Sequence, residues 1–467
     1  EAAMRRCDEA GLTTREACGN SVRNVIACEN AEICDGAPFD VTPYAEALVR
    51  YFLRHPLAST LPRKFKVAFS GCPDDCARGA INDIGLVAKV LDGQIGFKVL
   101  CAGGLSSSPQ AAIVLHEFVP AADVARVGES ILRLFDALGN RQNRQRARLK
   151  YVLRKLGEEQ FRAKYAEHRA QVDAEAVADL KAVLSPTRTP AGPVAGKRGD
   201  GYLAWRADAV VDQKQQGYVA VHIRLVLGDF TSAQMRGIGN LLSKYGDGTA
   251  RITVDQNLLI PWVDTRSLPA IHEELAALDL AKLGRGAASD VTSCPGASTC
   301  NLAITSSKSL AAAITARLEQ SDAKSLTAAA TTSIKISGCS HSCGQHHVAD
   351  LGWHGAAKHA FGKGGPSIPV YQLHLGGGVD ERGARFGKQI VKLTAKRVPD
   401  AVVALLKLFD AEKTDGEKVS AFFERVDPNK VVVALGELTR TYEPGDELDI
   451  GQSTGFMVET REGECAA

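Results

Sequence analysis

Eight of the twelve cysteines in this 467-residue chain form two copies of one spacing. Cys28 and Cys34 have five residues between them, and 37 residues later Cys72 and Cys76 have three. Cys294 and Cys300 repeat the five-residue gap, and 38 residues later Cys339 and Cys343 repeat the three-residue gap. The offset between copies is 266 for the first pair and 267 for the second. Four thiolates supplied from two short segments suit an Fe–S cluster, so the pattern points to a redox protein built by duplication. Zinc and unligated thiols compete with that reading; a three-residue gap fits zinc, whereas a five-residue gap does not. His341, His346 and His347 beside Cys339 and Cys343 read as polar loop residues around a cluster, or as mixed Cys/His zinc ligands. Cys7, Cys18, Cys101 and Cys465 lack partners at ligand spacing and read as packing or surface thiols.

Cations form the second constellation. Lys66 and Lys64 alternate on a strand, six and eight residues before Cys72, and share one face. Two ammonium groups on one face repel unless an anion lies between them, and Arg23 and Asn24 just before Cys28 complete a set suited to an oxyanion or carboxylates. A solvated edge strand is the competing reading. At the same offsets the second copy has Ser289, Thr331 and Ser333, so the copies differ in charge while keeping their thiols. Asp74 and Asp75 stand between Cys72 and Cys76 and would disfavour an anionic substrate there; Ser340, His341 and Ser342 stand between Cys339 and Cys343.

The elements that must position these groups repeat as well. Gly-Cys-x3-Cys-x6-Asp-x-Gly occurs at 71–85 and 338–352. Each copy then runs into an apolar strand ending at a glycine pair, Gly103-Gly104 or Gly376-Gly377, and a closing amphipathic helix, 121–138 or 398–409. Strands are expected at 65–70, 84–90 and 95–101, followed by helices to about 182. The second half should open with a strand at 218–227, a helix at 232–244 and strands at 250–254 and 258–263. The Pro- and Gly-containing stretch 185–201 reads as a linker. About 93 residues separate that linker from Cys294, whereas 27 precede Cys28, so a counterpart of 201–265 is expected to be absent from the first repeat or supplied from elsewhere.

Composition excludes some functions. With 56 basic and 54 acidic residues the net charge is +2, which argues against nucleic acid or a membrane surface as principal partner. Neither a membrane-spanning run nor a signal sequence stands out, and the cysteines are too sparse for a disulfide scaffold, so a cytoplasmic protein is expected. No glycine-rich dinucleotide fingerprint is visible.

These residues resemble the sirohaem-dependent sulfite and nitrite reductases over nearly the whole chain. The resemblance rests on Thr292-Ser-Cys-Pro-Gly-Ala-Ser-Thr-Cys300, Ser337-Gly-Cys-Ser-His-Ser-Cys343-Gly-Gln, Val22-Arg-Asn-Val25, Pro62-Arg-Lys-Phe-Lys66, Gln256-Asn257 and the two glycine turns. It implies that Cys294, Cys300, Cys339 and Cys343 hold a [4Fe-4S] cluster, with Cys343 bridging to sirohaem iron. By the same resemblance Arg23, Lys64 and Lys66 hold the substrate anion, and Asn24, Gln256 and Asn257 contact the cofactor. Arg141, Arg144, Arg146 and Arg148 read either as further cradle residues or as a solvated helix face. Many members have lost the first set, so Cys28, Cys34, Cys72 and Cys76 hold a second cluster or are vestigial.

The expected fold is α+β and internally duplicated. Two pseudo-twofold-related halves each carry a ferredoxin-like segment, incomplete in the first, and a mixed-sheet cluster-binding domain. The expected boundaries are a first repeat at 1–183, a linker at 184–200, a second ferredoxin-like segment at 201–290, a second cluster- and sirohaem-binding domain at 291–415, and a tail at 416–467. The expected function is six-electron reduction of sulfite to sulfide or nitrite to ammonia. Electrons would come from ferredoxin or a separate flavoprotein. The alternative is an Fe–S electron-transfer or scaffold subunit of the same fold without sirohaem.

Overall fold

A computed structural model describes residues 1–172, 188–362, 364–440 and 442–461. Residues 173–187, the Ser185–Thr187 start of the expected linker among them, and Cys465 lie outside the described residues.

In the first repeat, runs rich in β-branched and aromatic residues form β1 (Val22–Ala27), β2 (Phe65–Ser70), β3 (Ile84–Leu91), β4 (Gln94–Cys101) and β5 (Ile113–Pro120). They lie side by side in that order. β1, β2 and β3 are parallel, and β4 and β5 are antiparallel additions. Asp92 and Gly93, both with positive φ (49° and 77°), turn β3 into β4, as an Asp-Gly hairpin requires. Helix Val124–Leu138 buries Val124, Val127, Ile131, Leu134 and Phe135, a helical stripe, in the core that also holds Phe65, Phe69 and Phe97.

The middle unit is an antiparallel sheet of β6 (Val210–Asp212), β7 (Tyr218–Ile223), β8 (Arg251–Ile252) and β9 (Leu258–Asp264), in the order β6-β7-β9-β8. Its core holds Trp205, Ile238 and Leu241 from helix Ser232–Lys244, and Ile271 and Leu275 from helix Leu268–Ala277.

The second repeat comprises β10 (Thr292–Ser293), β11 (Ile334–Ser337), β12 (Leu351–His359), β13 (Ser367–Leu375), a hairpin of β14 (Gly378–Asp380) and β15 (Gly383–Arg385), and β16 (Lys388–Thr394). The order β10-β11-β12-β13-β16, two parallel pairings followed by two antiparallel ones, repeats the first sheet.

The duplication extends to single hydrogen bonds. Lys66 N–H donates to Asp83 (3.0 Å), and Ser333 N–H, 267 positions on, donates to Asp350 (2.8 Å). Ala77 N–H donates to the Ser70 hydroxyl and Gly344 N–H to the Ser337 hydroxyl, at 3.2 and 3.1 Å. Each pair fixes the return of a Cys-x3-Cys loop against its sheet.

Several expectations change. β2 is flanked by β1 and β3, so Lys64 and Lys66 do not belong to an edge strand. β5 interrupts the stretch read as helical. The strand expected over 218–227 stops at Ile223, because Val226–Gly228 forms a tight turn with Leu227 at φ 61°. That expected over 250–254 shortens to Arg251–Ile252.

The described part of the expected linker, 188–200, is tied to its neighbours over 188–194, and 195–200 are exposed. Arg188 bridges Glu32 and Asp247 (both 3.1 Å), Ala191 N–H donates to the Gly246 carbonyl (2.7 Å), and Val194 N–H to the Ser267 hydroxyl (2.9 Å). Beyond residue 415, helices Val419–Arg425 and Pro428–Leu435 bury Phe422, Phe423, Val431 and Leu435 in the core of the second repeat. This part of the expected tail is therefore continuous with that domain.

Candidate active site

A cleft of about 510 Å³ lies where the two repeats face each other. The first repeat lines it with Asn24 from β1, Arg63, Lys64 and Lys66 at the start of β2, Arg78 after the first cysteine loop, and Arg144, Arg146, Arg148 and Lys150. The second repeat contributes His341, Ser342, Cys343 and Gln345. Eight lysine and arginine side chains thus surround one exposed thiol, and no carboxylate is among the described lining residues.

This concentration of positive charge depresses its own members. Burial, with Arg148 and Lys64 close by, pulls the Lys66 ammonium down to about 8 against the attraction of Asp83 and Cys343. Burial and the neighbouring Arg148 and Arg154 bring Lys150 down to about 7. Arg148 is held by a buried ion pair with Asp83 (2.7 Å), the carboxylate that also receives Lys66 N–H. Burial, Lys64 and Arg63 lower His341, whose Nδ1 lies 3.4 Å from Cys339 Sγ. Such a site favours a ligand carrying several negative charges.

The structure gathers the second cysteine set around Cys339, with Cys343 the one of the four that lines this cleft. Burial, with Cys343, Cys294 and Cys300 as neighbours, pushes the Cys339 thiol up to about 12. Cys294 Sγ accepts from Gly338 N–H (3.2 Å) and lies 3.3 Å from the Ser307 hydroxyl. Glycine permits the close packing: a side chain at Gly344 would enter the Ile336 carbonyl, and one at Gly296, where φ is +61°, would enter Ser307.

The first set also converges. Cys72 raises the Cys34 thiol and Cys28 raises that of Cys76, so these sulfurs are neighbours, and Asn30 N–H donates to Cys28 Sγ (3.3 Å). Its surroundings differ. Cys76, the counterpart of Cys343, packs with Cys28, Ala68, Ala77 and Ile26. Asp75 fills the turn, accepting from Ser70 Oγ, Gly79 N–H and Ala80 N–H, where the second copy has Ser342. The cavity on this side, about 630 Å³ with Cys34 in its wall, carries Glu29, Asp212, Asp255, Asp290, Asp350 and Asp380 against Arg78, Arg285, Lys335 and Arg385. It does not share the purely cationic lining.

Of the residues expected to act on substrate or cofactor, Asn24, Lys64, Lys66 and Cys343 line the cleft. Arg23 does not: its Nε donates to the Gly19 carbonyl (2.8 Å), while Asn24 and Ile26 face the cleft. Gln256 and Asn257 also stand outside it. Gln256 clamps Ser293 by two bonds (2.9 and 3.1 Å), and Asn257 joins Leu225 N–H to Asp290 (2.8 and 2.9 Å). Both brace the chain entering Cys294. Arg144, Arg146 and Arg148 belong to the lining, whereas Arg141 is tied to Asp136 and the Thr60 carbonyl. Sequence reasoning missed Arg63, Arg78 and Lys150. Alternation of Arg144, Arg146, Arg148 and Lys150 was the available signal for the last.

Residues 18–173 and 287–440 match the family model for the nitrite and sulphite reductase 4Fe-4S domain. The chain belongs to the nitrite and sulphite reductase family. Residues 211–278 also match the nitrite/sulfite reductase ferredoxin-like half domain. Similar proteins include the assimilatory ferredoxin-dependent nitrite reductase of Haloferax mediterranei, 27% identical over 96% of this chain and 75% of the relative. The ferredoxin–nitrite reductase of Leptolyngbya laminosa is 30% identical over 83% and 72%, and sulfite reductase [ferredoxin] 1 of Mycolicibacterium paratuberculosis 27% over 91% and 73%. Among solved structures, the Mycobacterium tuberculosis NirA protein is 25% identical with a TM-score of 0.76, covering 92% of this chain and 75% of that one.

The donor set fits the cofactors of this family. Cys343, Cys294 and Cys300 all act on Cys339, so four thiols stand together in the second set, the donor number that a [4Fe-4S] cluster takes. The carboxylate-free basic cleft beside Cys343 matches a heavily carboxylated tetrapyrrole.

Proposed function

We propose that this chain is a sirohaem- and [4Fe-4S]-dependent reductase that takes nitrite to ammonia or sulfite to sulfide with six electrons delivered by ferredoxin. One observation carries the reading: eight cations and no carboxylate converge on the thiol of Cys343 among the described lining residues. Cys294, Cys300, Cys339 and Cys343 would hold the cluster, and Cys343 alone of these lines the cleft where the haem would lie. Bound there, the two cofactors supply an iron site for the anion and a path for single electrons.

The protein's own groups attract, orient and protonate. Lys64, just before β2, and Lys66, on it, enter the cleft and neutralise the oxyanion. Lys66, poised near 8, is suited to giving up a proton as oxygen departs as water and to regaining it from solvent. Arg148, locked by Asp83, is a fixed positive charge that adds to the effect of burial in lowering Lys66. Arg144, Arg146 and Lys150 form the rim suited to peripheral carboxylates of the cofactor. Arg23, Gln256 and Asn257 act as positioning residues.

The four converging thiols of the first set support a second cluster there. Glu29, Asp74 and Asp75 around it repel anions, and Cys76 packs against its own domain, so this cluster would serve electron transfer alone.

Turnover with reduced ferredoxin or a dye donor, measured on nitrite and sulfite alongside the absorption spectrum, tests the proposal. Haem bands together with reduction of at least one anion support it. Cluster absorption without haem bands, after expression with sirohaem synthesis intact, would establish the electron-transfer alternative.

A further inference from the structure

Behind the cysteine loop of the second repeat lies a group of imidazoles that the reductase chemistry does not use. His346 opens the turn His346–Val348, His354 stands on β12 and His374 on β13. In the β12–β13 register His354 faces Gln372 and Gly352 faces His374, so the two histidines are diagonal neighbours on one face. Gly352 carries no side chain, which lets the His346 backbone lie directly against it and brings a third ring to the pair.

The ligating nitrogens of His346, His354 and His374 all fall within 4.8 Å of one another. His354 Nδ1 and His374 Nε2 are 2.8 Å apart, and the ring centroids are separated by 4.7 to 5.0 Å. His346 is 0% exposed and His374 1%. The Ser337 hydroxyl lies 2.9 Å from His346 Nδ1, which fixes the ring and leaves Nε2 buried with no hydrogen-bond partner. A hydrogen bond at one ring nitrogen with the other aimed inward is how ligating histidines are commonly oriented. Burial, with His347 and Lys392 near His354 and with His347 and His354 near His374, brings His354 down to about 4 and His374 to about 3, so their lone pairs are available at neutral pH.

We propose that His346, His354 and His374 form a buried site for one divalent transition-metal ion of the zinc, nickel or copper class. Three neutral imidazoles suit these ions and do not suit magnesium or calcium, which require oxygen donors. The site is structural: it fastens the β12–β13 pair to the turn that follows Cys343. Adjacent His347 reaches the Ser106 carbonyl in the cleft wall (2.9 Å), linking this region to the active site.

The test uses the iron-loaded enzyme, incubated with zinc, dialysed and analysed for metals. About one zinc per chain is expected to remain, and His354→Gln and His374→Gln should each retain at least tenfold less while keeping their iron. His359→Gln, on the exposed end of β12, should retain zinc as the wild type does. Zinc absent from dialysed wild type, or held equally by the His354 and His374 variants, overturns the proposal. Zinc-edge X-ray absorption on wild type decides the question should those variants not fold. An imidazole shell at about 2.0–2.1 Å supports the site, and a sulfur shell at about 2.3 Å places the ion on cysteine and overturns it.

Discussion

Arg78 donates a hydrogen bond to Gln345, a residue exactly one repeat length away, at 267 positions. Both have left-handed backbone, with φ of 58° and 63°, and both open equivalent single-turn helices. The pseudo-twofold axis therefore runs between them. Arg78 also binds Asp255 on the turn between β8 and β9 (2.5 Å), and Asp255 accepts from Lys335 on β11 (2.6 Å). Three units of the chain meet at these four side chains.

Substituting the cleft lysines should remove chemistry and leave architecture. Lys66→Met and Lys64→Met are each expected to lower turnover about 10²-fold while retaining the haem spectrum, since each removes a charge acting on the developing oxyanion. Steady-state rates with a dye donor check this; unchanged rates would exclude these lysines from the reaction.

Lys66 and Lys150 also govern pH behaviour. Their folded values, about 8 and about 7, lie below the roughly 10.4 of an unfolded lysine. Across that window the unfolded chain binds more protons, so their contribution to stability rises with pH and is least favourable below about 7. An anion in the cleft offsets the repulsion. Sulfate should raise the melting temperature of cofactor-free protein at pH 7, and its increment should shrink toward pH 10 and be smaller in Lys66→Met.

Asp255 behaves in the opposite sense. Burial pushes its carboxyl up, but Lys335 and Arg78 outweigh burial and hold it well below the usual carboxylate range. Its stabilisation is complete above about pH 4 and is lost as pH falls towards its folded value. Asp255→Asn should melt at a lower temperature at pH 7 and show a flatter acid limb. Equal acid limbs in the two proteins would count against the three-way junction.

Metal content separates the cysteine sets. With both clusters and the haem present, about nine iron atoms and eight acid-labile sulfides per chain are expected. Cys34→Ser should remove about four of each and spare the haem bands. Cys343→Ser should remove the second cluster and the haem together. A wild-type content of about five irons would show that the first set is vacant.

The cysteines were legible in sequence because ligand spacing is local, and repetition confirmed the pattern without a structure. Lys64 and Lys66, two positions apart, could be placed on one face from sequence, and both line the cleft. Arg23 stands off it, because neighbours on a strand point to opposite faces and Asn24 faces the cleft. Arg63, Arg78 and Lys150 reach the cleft from separate elements, so tertiary packing alone unites them. His346, His354 and His374 are separated by 8 and 20 positions, and the β12–β13 register together with the packing of the His346 backbone on Gly352 brings them together. Helix Ser232–Lys244 matched its expected limits because Thr231 and Gln234 form a capping box. The anchoring of 188–194 escaped detection, since its contacts are long-range bonds to partners such as Glu32 and Gly246.

The matching sheets have a further consequence. In an assembly of two identical subunits, symmetry would place the same side chains on both faces of the axis, so an arginine at position 78 would confront another arginine. A glutamine can accept from Arg78 here because one polypeptide encodes the two faces separately. Covalent fusion thus lets a single gene vary each side of one architecture independently, as a heterodimer does, while fixing the ratio of the two at one to one.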